Sequence, residues 1–270
     1  MATYAIGDLQ GCFYTFQSLL DKLSFNTSTD ELWLVGDILN RGKNSLEVVD
    51  WCYENQQHIK LVLGNHDLHF LSIAFALKNS SRKDTLSKIL SISKLSSYLD
   101  WFLSIPLLHS NKNYIMTHAG LLPSWSKEEA MSLSCAFSDA LRNNPEYVLK
   151  SMYGNYPNQW SDSLPEDDRY RLTVNVMTRM RCLNNKEQLD LKYKGNLSDI
   201  PDNIYPWFVL DTKRDDNESL ITGHWSAIGF HKHRLGFVLD SGCVWGEHLT
   251  ALCLETKNIY TEPADLRDLA

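Results

Sequence analysis

The sequence predicts an α/β protein, and two patterns carry that prediction. The first third alternates short apolar strands with amphipathic helices, and the last third returns to short strands after a mostly helical stretch. A βαβαβ alternation implies a largely parallel sheet covered by helices. "TYAI" (3–6) is the first strand, and "FYTFQSLLDKLSF" (13–25) carries apolar residues at helical spacing. "ELWLV" (31–35) is the second strand, "SLEVVDWCYEN" (45–55) a helix, and "IKLVL" (59–63) the third strand. A helical stretch follows at "DTLSKILSISKLSSYLDWFLS" (84–104), then a strand at "NYIMT" (113–117). Residues 126–185 read as mostly helical, a helical insertion over one face. "SLIT", "RLGFVLD" and "TALCLE" are the late strands, preceded by the turn-rich loop "KGNLSDIPDNIYP". One domain over residues 1–270 is expected, with the last residues, "EPADLRDLA", frayed.

Composition narrows the function classes. Of 270 residues 43% are hydrophobic and 22% charged, an ordinary globular balance. No apolar run approaches the roughly 20 residues of a membrane span. The six cysteines are scattered without a Cys-x-x-Cys pair, and the N-terminus has no signal-like segment, so a reduced, cytoplasmic protein is expected. The net charge of −7 argues against a surface that coats nucleic acid. It leaves room for a phosphate-bearing substrate, because a bound divalent metal can override the global sign locally.

Polar residues able to bind metal recur just after the strands, in "AIGDLQG", "LVGDILNRG", "LVLGNHD", "IMTHAG" and "LITGHW". In an open α/β sheet, ligands bind beyond the carboxyl ends of the strands. Five strand ends could therefore aim Asp8, Asp37, Asn65, His118 and His224 at one point. Taken singly, each has a bland explanation: a Gly-Asp is a turn, Gly-Asn-His-Asp a cap, a lone Gly-His a surface histidine. Jointly they point to a site. Two carboxylates, an amide and two imidazoles form a mixed O/N set suited to manganese, iron, cobalt or zinc rather than calcium. Shared across two ions, it can clamp a phosphoryl group.

The ordered series GD-x-x-G, GD-x-x-x-RG, GNHD, HAG and GH resembles the metallophosphoesterases of the phosphoprotein phosphatase type. "VLGNHDLH", "THAGLLPSW", "MYGNYPNQW", "NVMTRMRC", "ITGHW" and "LDSGCVWG" extend the resemblance to the bacterial symmetrical bis(5′-nucleosyl)-tetraphosphatases, or diadenosine tetraphosphatases, over nearly the whole chain. The resemblance implies a calcineurin-like sandwich of two mixed β-sheets flanked by helices. It implies symmetrical hydrolysis of dinucleoside polyphosphates to two nucleoside diphosphates, by attack of metal-activated hydroxide on an inner phosphorus. Two divalent ions are implied, Mn2+ first, with Co2+ or Mg2+ as alternatives. One would be held by Asp8, Gln10 and Asp37; Asp37 would bridge to a second held by Asn65, His118 and His224. His66 matches the general acid and Arg41 a phosphate-binding arginine, while either Arg179 or Arg181 of "TRMR" would bind phosphate as well. Removal of dinucleoside caps from RNA 5′ ends is a further partner reaction the resemblance allows, without an obvious basic track for it. No membrane partner is expected, and the oligomeric state stays open.

Two positions depart from the protein phosphatases. They carry histidine at Gln10, so a looser first metal site favouring a hard ion is expected. They carry aspartate at Asn40, whose carbonyl is expected to accept a hydrogen bond from His66 without stabilising an imidazolium by charge. A nucleoside diphosphate is a good leaving group, so weak acid catalysis suffices, and Asn40→Asp is expected to gain most on poor leaving groups. The rival readings are a protein serine/threonine phosphatase, disfavoured by Asn40 and by Asp67 where such enzymes carry glutamate, and a catalytically weak nucleotide-binding relative. Trp125, Trp160 and Tyr153 are candidates either for stacking a base or for packing. "HKH" (231–233) reads as an exposed charged turn, and His69 has no assigned role.

Overall fold

A computed structural model describes residues 1–214 and 218–270. Strands β1 (Thr3–Ile6), β2 (Glu31–Leu34) and β3 (Ile59–Leu61) alternate with helices α1 (Phe13–Leu23) and α2 (Ser45–Glu54). Helices α3 (Asn65–Ala74), α4 (Ser87–Leu90) and α5 (Leu95–Ser104) lead into a hairpin, β4 (Leu108–Ser110) and β5 (Tyr114–Thr117). The helical stretch is α6 (Lys127–Asn143), α7 (Pro145–Ser151) and α8 (Glu166–Arg179). Short strands β6 (Cys182–Leu183), β7 (Leu189–Asp190) and β8 (Tyr205–Pro206) follow. The chain ends in β9 (Ser219–Thr222), β10 (His231–His233), β11 (Gly236–Val238), β12 (His248–Cys253) and β13 (Ile259–Pro263). No helix among the described residues is long and apolar enough to cross a membrane.

Two five-stranded mixed sheets form, ordered β13-β12-β1-β2-β3 and β10-β11-β9-β5-β4, with a small antiparallel sheet β7-β6-β8 beside them. Side-chain alternation explains why the two large sheets pair. Ala5, Trp33 and Val35 point between the sheets, where they meet Tyr114, Met116, Ile221, Phe237 and Leu239 in one apolar layer. Their neighbours Ile6, Leu32, Leu34, Ile115, Leu220 and Val238 point the other way, into the larger core under the helices. A period of two with apolar residues on both faces is what a buried, helix-covered sandwich demands. The expected pair of mixed sheets flanked by helices is what forms.

The register matters for function. β1, β2 and β3 are mutually parallel, with Ile6 opposite Leu34 and Leu34 opposite Leu61. β5, β9 and β11 are likewise parallel, with Met116 opposite Ile221 and Val238 opposite Thr222. Each sheet therefore presents three carboxyl ends along one edge.

Several expectations are refined or corrected. The helical stretch expected over residues 84–104 forms as two helices, α4 and α5. At the break the Ser91 hydroxyl donates to the Lys88 carbonyl, the local competition that serine offers a helix. "HKH" is not an exposed turn but β10, antiparallel to β11. The His233 ring stacks on Phe208 with centroids 4.4 Å apart, and burial together with His231 pushes its pKa down to about 3.

The C-terminus is docked rather than frayed. Cys12 precedes α1 without capping it. Asp268, fully buried, accepts instead from the Tyr14 and Thr15 amides at 3.1 and 2.8 Å, from the Thr15 hydroxyl at 2.7 Å and from Asn44 Nδ2 at 2.8 Å. It is an N-cap delivered from the far end of the chain, satisfying donors that a helix start leaves orphaned. Asp268→Ala is expected to cost about 1–2 kcal/mol, read as a fall of roughly 2–8 °C in melting temperature; an unchanged melt would refute the cap.

Candidate metal centre

The two sheet edges meet where the polar residues were expected. Asp8 follows β1, Asp37 follows β2, Asn65 opens α3 just after β3, His118 follows β5 and His224 follows β9. Asp8, Asp37 and His118 are all buried and offer ligand atoms within 4.8 Å of one another. The glycines beside them are spaces that carboxylates fill. A Cβ on Gly223 would lie 2.0 Å from Asp8 Oδ1, and one on Gly64 would lie 2.1 Å from Asp37 Oδ1. Backbone strain gathers here as well. Nine described non-glycine residues have positive φ, and five of them are Gln10, Asp37, Asn40, Arg41 and His224. Such conformations persist only where the surroundings over-determine them.

Hydrogen bonds aim each imidazole. His118 Nδ1 donates to the Val35 carbonyl at 2.8 Å, which leaves Nε2 facing Asp37 Oδ2 at 3.3 Å. His224 Nε2 donates to the Arg179 carbonyl at 3.1 Å, which leaves Nδ1 bare of hydrogen. Carbonyl-fixed tautomers of this kind present a lone pair to a metal. His224 Nδ1 points at Asn65. In one orientation the Asn65 amide nitrogen donates to His224 Nδ1 at 2.9 Å and to the Thr178 carbonyl at 3.0 Å. In the other, its oxygen faces the same two acceptors, a cluster that a cation would hold together. The residues present therefore fit divalent cations. Gln10, also buried, turns Nε2 to Asp37 Oδ2 at 3.4 Å.

The electrostatics agree. Burial pushes Asp8 well above the usual carboxylate range, with Asp240 adding to it. Burial would raise Asp37 too, but His118 and His66 hold it well below. Against its own burial, His118 is drawn up to about 10 by Asp37 and Asp8. The same pair of carboxylates that attracts a proton here could attract a metal cation. Burial and Arg181 keep His224 neutral, as a ligand must be.

His66 sits at the start of α3, with its amide donating to Asp37 Oδ1 at 2.7 Å and Nε2 4.0 Å from Asp37 Oδ2. The expected bond from His66 to the Asn40 carbonyl does not form. Asn40 Oδ1 is taken by the Arg41 and Thr85 amides at 2.8 and 3.1 Å. Its Nδ2 lies instead 3.2 Å from His66 Nδ1 and donates to Asp84 Oδ1 at 2.9 Å. The expected gain from Asn40→Asp falls with it, since a carboxylate there would meet Asp84.

A cavity of about 330 Å³ opens beside His66, lined by Arg41, Asn65, His69, Tyr153 and Arg179 among others. Arg179 is held by neutral oxygens: Asn175 Oδ1 at 2.6 Å and Asn155 Oδ1 at 3.1 Å. Arg181 differs. Its Nη2 donates to the His224 carbonyl at 3.2 Å; burial lowers its pKa, opposed by Asp240, Asp8 and Asp37. Trp125 is fully buried with its ring edge-on to Trp160, a packing residue. Tyr153 lines the cavity, with the Lys78 ammonium 4.2 Å above its ring.

Three residues that hold the site escaped sequence reasoning. Asp240, buried after β11, is pushed up to about 6 by burial. "VLDSG" has the same strand-then-carboxylate grammar as the other motifs, and that signal could have found it. Asp67 accepts from three backbone amides, those of Asp37, Ile38 and Gly64. Asp84 lies in a polar loop with no pattern to mark it.

A sandwich whose six parallel strand ends converge on buried carboxylates and imidazoles is the architecture of a metal-dependent phosphoesterase. The chain belongs to the calcineurin-like phosphoesterase family, whose model matches residues 1–258. Within that family of hydrolases it falls with the symmetrical bis(5′-nucleosyl)-tetraphosphatases. A protein of that name from Chromobacterium violaceum is 43% identical over 264 residues, 97% of this chain and 95% of the relative. Another from Neisseria meningitidis is 42% identical over 261 residues, 96% of this chain and 94% of the relative. Among solved structures, a candidate diadenosine tetraphosphatase superposes with a TM-score of 0.65 at 22% identity, covering 98% of this chain and 94% of that one. A Saccharomyces cerevisiae protein serine/threonine phosphatase superposes at 0.55 with 13% identity, covering 98% and 80%, and shares the fold alone.

Proposed function

We propose that the chain hydrolyses diadenosine tetraphosphate and related dinucleoside polyphosphates symmetrically, releasing two nucleoside diphosphates. The observation that carries this reading is the near-full-length identity of 43% to a symmetrical tetraphosphatase. The donor set supports it. Asp8, Gln10, Asp37, Asn65, His118 and His224 would hold two divalent ions, Mn2+ first, with Co2+ or Mg2+ as alternatives. When bound, such ions polarise phosphoryl oxygens and acidify water.

The chain's own residues do the rest. Arg41 and Arg179, both lining the cavity, grip the non-bridging phosphate oxygens with charge-assisted hydrogen bonds. Asn40 donates to His66 Nδ1, so the neutral ring carries its proton on Nε2, the nitrogen nearer Asp37. From there Nε2–H donates a hydrogen bond to the oxygen of the departing diphosphate, which leaves as an anion without taking the proton. Arg181, turned to the His224 carbonyl and the buried carboxylates, steadies the centre rather than the substrate.

The deciding experiment is incubation with diadenosine tetraphosphate and Mn2+ with the products resolved. Two ADP are expected; AMP with ATP, or preferential turnover of phosphopeptides, would overturn the reading. Arg179→Ala is expected to lower kcat/KM by about 10–100-fold, the worth of hydrogen bonds to a charged group, with Mn2+ affinity unchanged. Arg181→Ala should instead weaken Mn2+ binding, and equal effects of the two on substrate would refute the division. Gln10→His should tighten the first site and shift preference from Mn2+ or Mg2+ toward softer ions. Metal titration against activity checks this, and an unchanged preference would exclude Gln10 as the determinant.

A further inference from the structure

Asn40 is bound on every side. Its backbone amide donates to Ser45 Oγ at 2.9 Å, and its side-chain oxygen accepts from the Arg41 and Thr85 amides. Its Nδ2 spans His66 Nδ1 and Asp84 Oδ1. Reversing the amide would set a nitrogen against two N–H donors and an oxygen against a carboxylate. The orientation is therefore determined by its partners rather than chosen, and Asp84 determines it from the far side. A carboxylate only accepts, so Asn40 must present its NH2 to Asp84, and the second hydrogen of that NH2 meets the imidazole.

Asp84 also gathers the neighbouring groups. Its side chain is 1% exposed. It accepts from the Ser81 amide at 2.7 Å, pairs with His69 Nε2 at 3.2 Å and lies 3.5 Å from Arg41 Nη1. Arg41 Nη1 donates as well to the Lys83 carbonyl at 2.9 Å, so the 81–85 segment holds the arginine at the cavity wall. His69 lies three residues beyond His66 on α3, on the same side of the helix. Burial would raise Asp84, yet the donors from Asn40, Ser81 and His69 keep its carboxyl well below the usual range.

We infer that Asp84 is a positioning residue for catalysis: through Asn40 it locks His66 in the tautomer protonated on Nε2, and directly it holds Arg41 toward the substrate cavity. The carboxylate that orients the imidazole is thus supplied from a different loop, one residue further from the ring. The inference rests on His66 donating from Nε2–H to the leaving oxygen, and the test separates the two.

Steady-state kinetics are measured with diadenosine tetraphosphate and with aryl esters of ADP whose phenols span a range of acidity. Asp84→Asn, His66→Asn and their double variant are compared. Asp84→Asn is expected to lower kcat about 10-fold on the tetraphosphate and about 100-fold on the least acidic phenol, within the range that a preorganised donor to a developing oxyanion supplies. In the His66→Asn background the leaving-group-dependent part of that loss should vanish, while a KM increase through Arg41 persists. A loss that is uniform across phenols, or that multiplies with His66→Asn, marks Asp84 as a structural pin and overturns the inference. If His66→Asn itself shows no leaving-group dependence, the assignment of His66 as donor to the leaving oxygen fails and the inference falls with it. Should Asp84→Asn fold poorly, Asn40→Asp and the exchange Asn40→Asp/Asp84→Asn decide the matter. The exchange removes the clash of two carboxylates and should recover stability over Asn40→Asp alone, but its carboxylate draws the His66 proton to Nδ1, so the leaving-group-dependent rate should stay low; recovery of that rate would sink the inference.

Discussion

Gly64→Ala is expected to abolish turnover, by more than the roughly 10–100-fold that outer-shell changes at metal sites cost, while leaving the sandwich folded. The added Cβ would lie 2.1 Å from Asp37 Oδ1 and 2.5 Å from the Asp37 amide. Neither can retreat. Asp37 Oδ1 is fixed by the His66 amide at 2.7 Å, and the Asp37 amide by Asp67 at 2.7 Å. Relief requires parting the ends of β2 and β3, which moves Asp37, Asn65 and His66 together. Gly223→Ala should act in the same way through Asp8, whose Oδ1 would lie 2.0 Å from the new Cβ. Gly229→Ala is the control. It has open space around it and a φ of +64°, so it costs only about 1–3 kcal/mol of backbone strain and should retain activity. Mn2+ titration and turnover, with far-ultraviolet circular dichroism to confirm folding, check all three; an active Gly64→Ala protein would mean that Asp37 is not anchored as described.

How much of this was legible in the sequence depends on how local each determinant is. Asp8, Asp37, His118 and His224 each follow their own apolar strand within a few residues, so the pattern announces them one at a time. The sandwich was legible for the same reason, since every strand carries its inward and outward residues in its own alternation. The start of α3 was legible in part: "GNHD" reads as a cap or turn, and Gly64 is indeed the N-cap, with Asp67, three residues on, accepting from its amide at 2.8 Å. Asp84 and Asp268 were invisible because their partners lie far away in sequence: Asn40 is 44 residues from Asp84, and Thr15 is 253 from Asp268. A carboxylate in a polar loop looks the same whether it is solvated or is the hub of a buried network. The amide of Asn40 shows a further limit. Its identity was plain, but which end meets His66 is decided by Asp84 and Thr85, which no local reading connects to it.

Asp67→Asn is expected to destabilise the protein by about 3–5 kcal/mol, the cost of leaving two buried backbone donors unmatched at about 1–3 kcal/mol each, and to weaken metal binding with it. Asp67 is fully buried. Its Oδ2 accepts from the Asp37 and Gly64 amides at 2.7 and 2.8 Å, and its Oδ1 from the Ile38 amide at 3.1 Å. One carboxylate thus clasps the turn after β2 to the turn after β3, the two turns that carry Asp37, Asn65 and His66. The amide of asparagine is nearly the same size but has only one acceptor. Either orientation points its NH2 at a backbone N–H, leaving at least one buried donor unsatisfied and another repelled. Asp37, held in a positive-φ conformation of +50°, would lose the bond that keeps its backbone there. The melting temperature should fall by roughly 6–20 °C, and the Mn2+ concentration needed for half-maximal turnover should rise. Asp67→Glu separates the two effects, since the charge survives but reaches one methylene too far. It should restore part of the stability and little of the metal affinity. Equal recovery of both would show that the charge, and not its placement between the two turns, is what the centre requires.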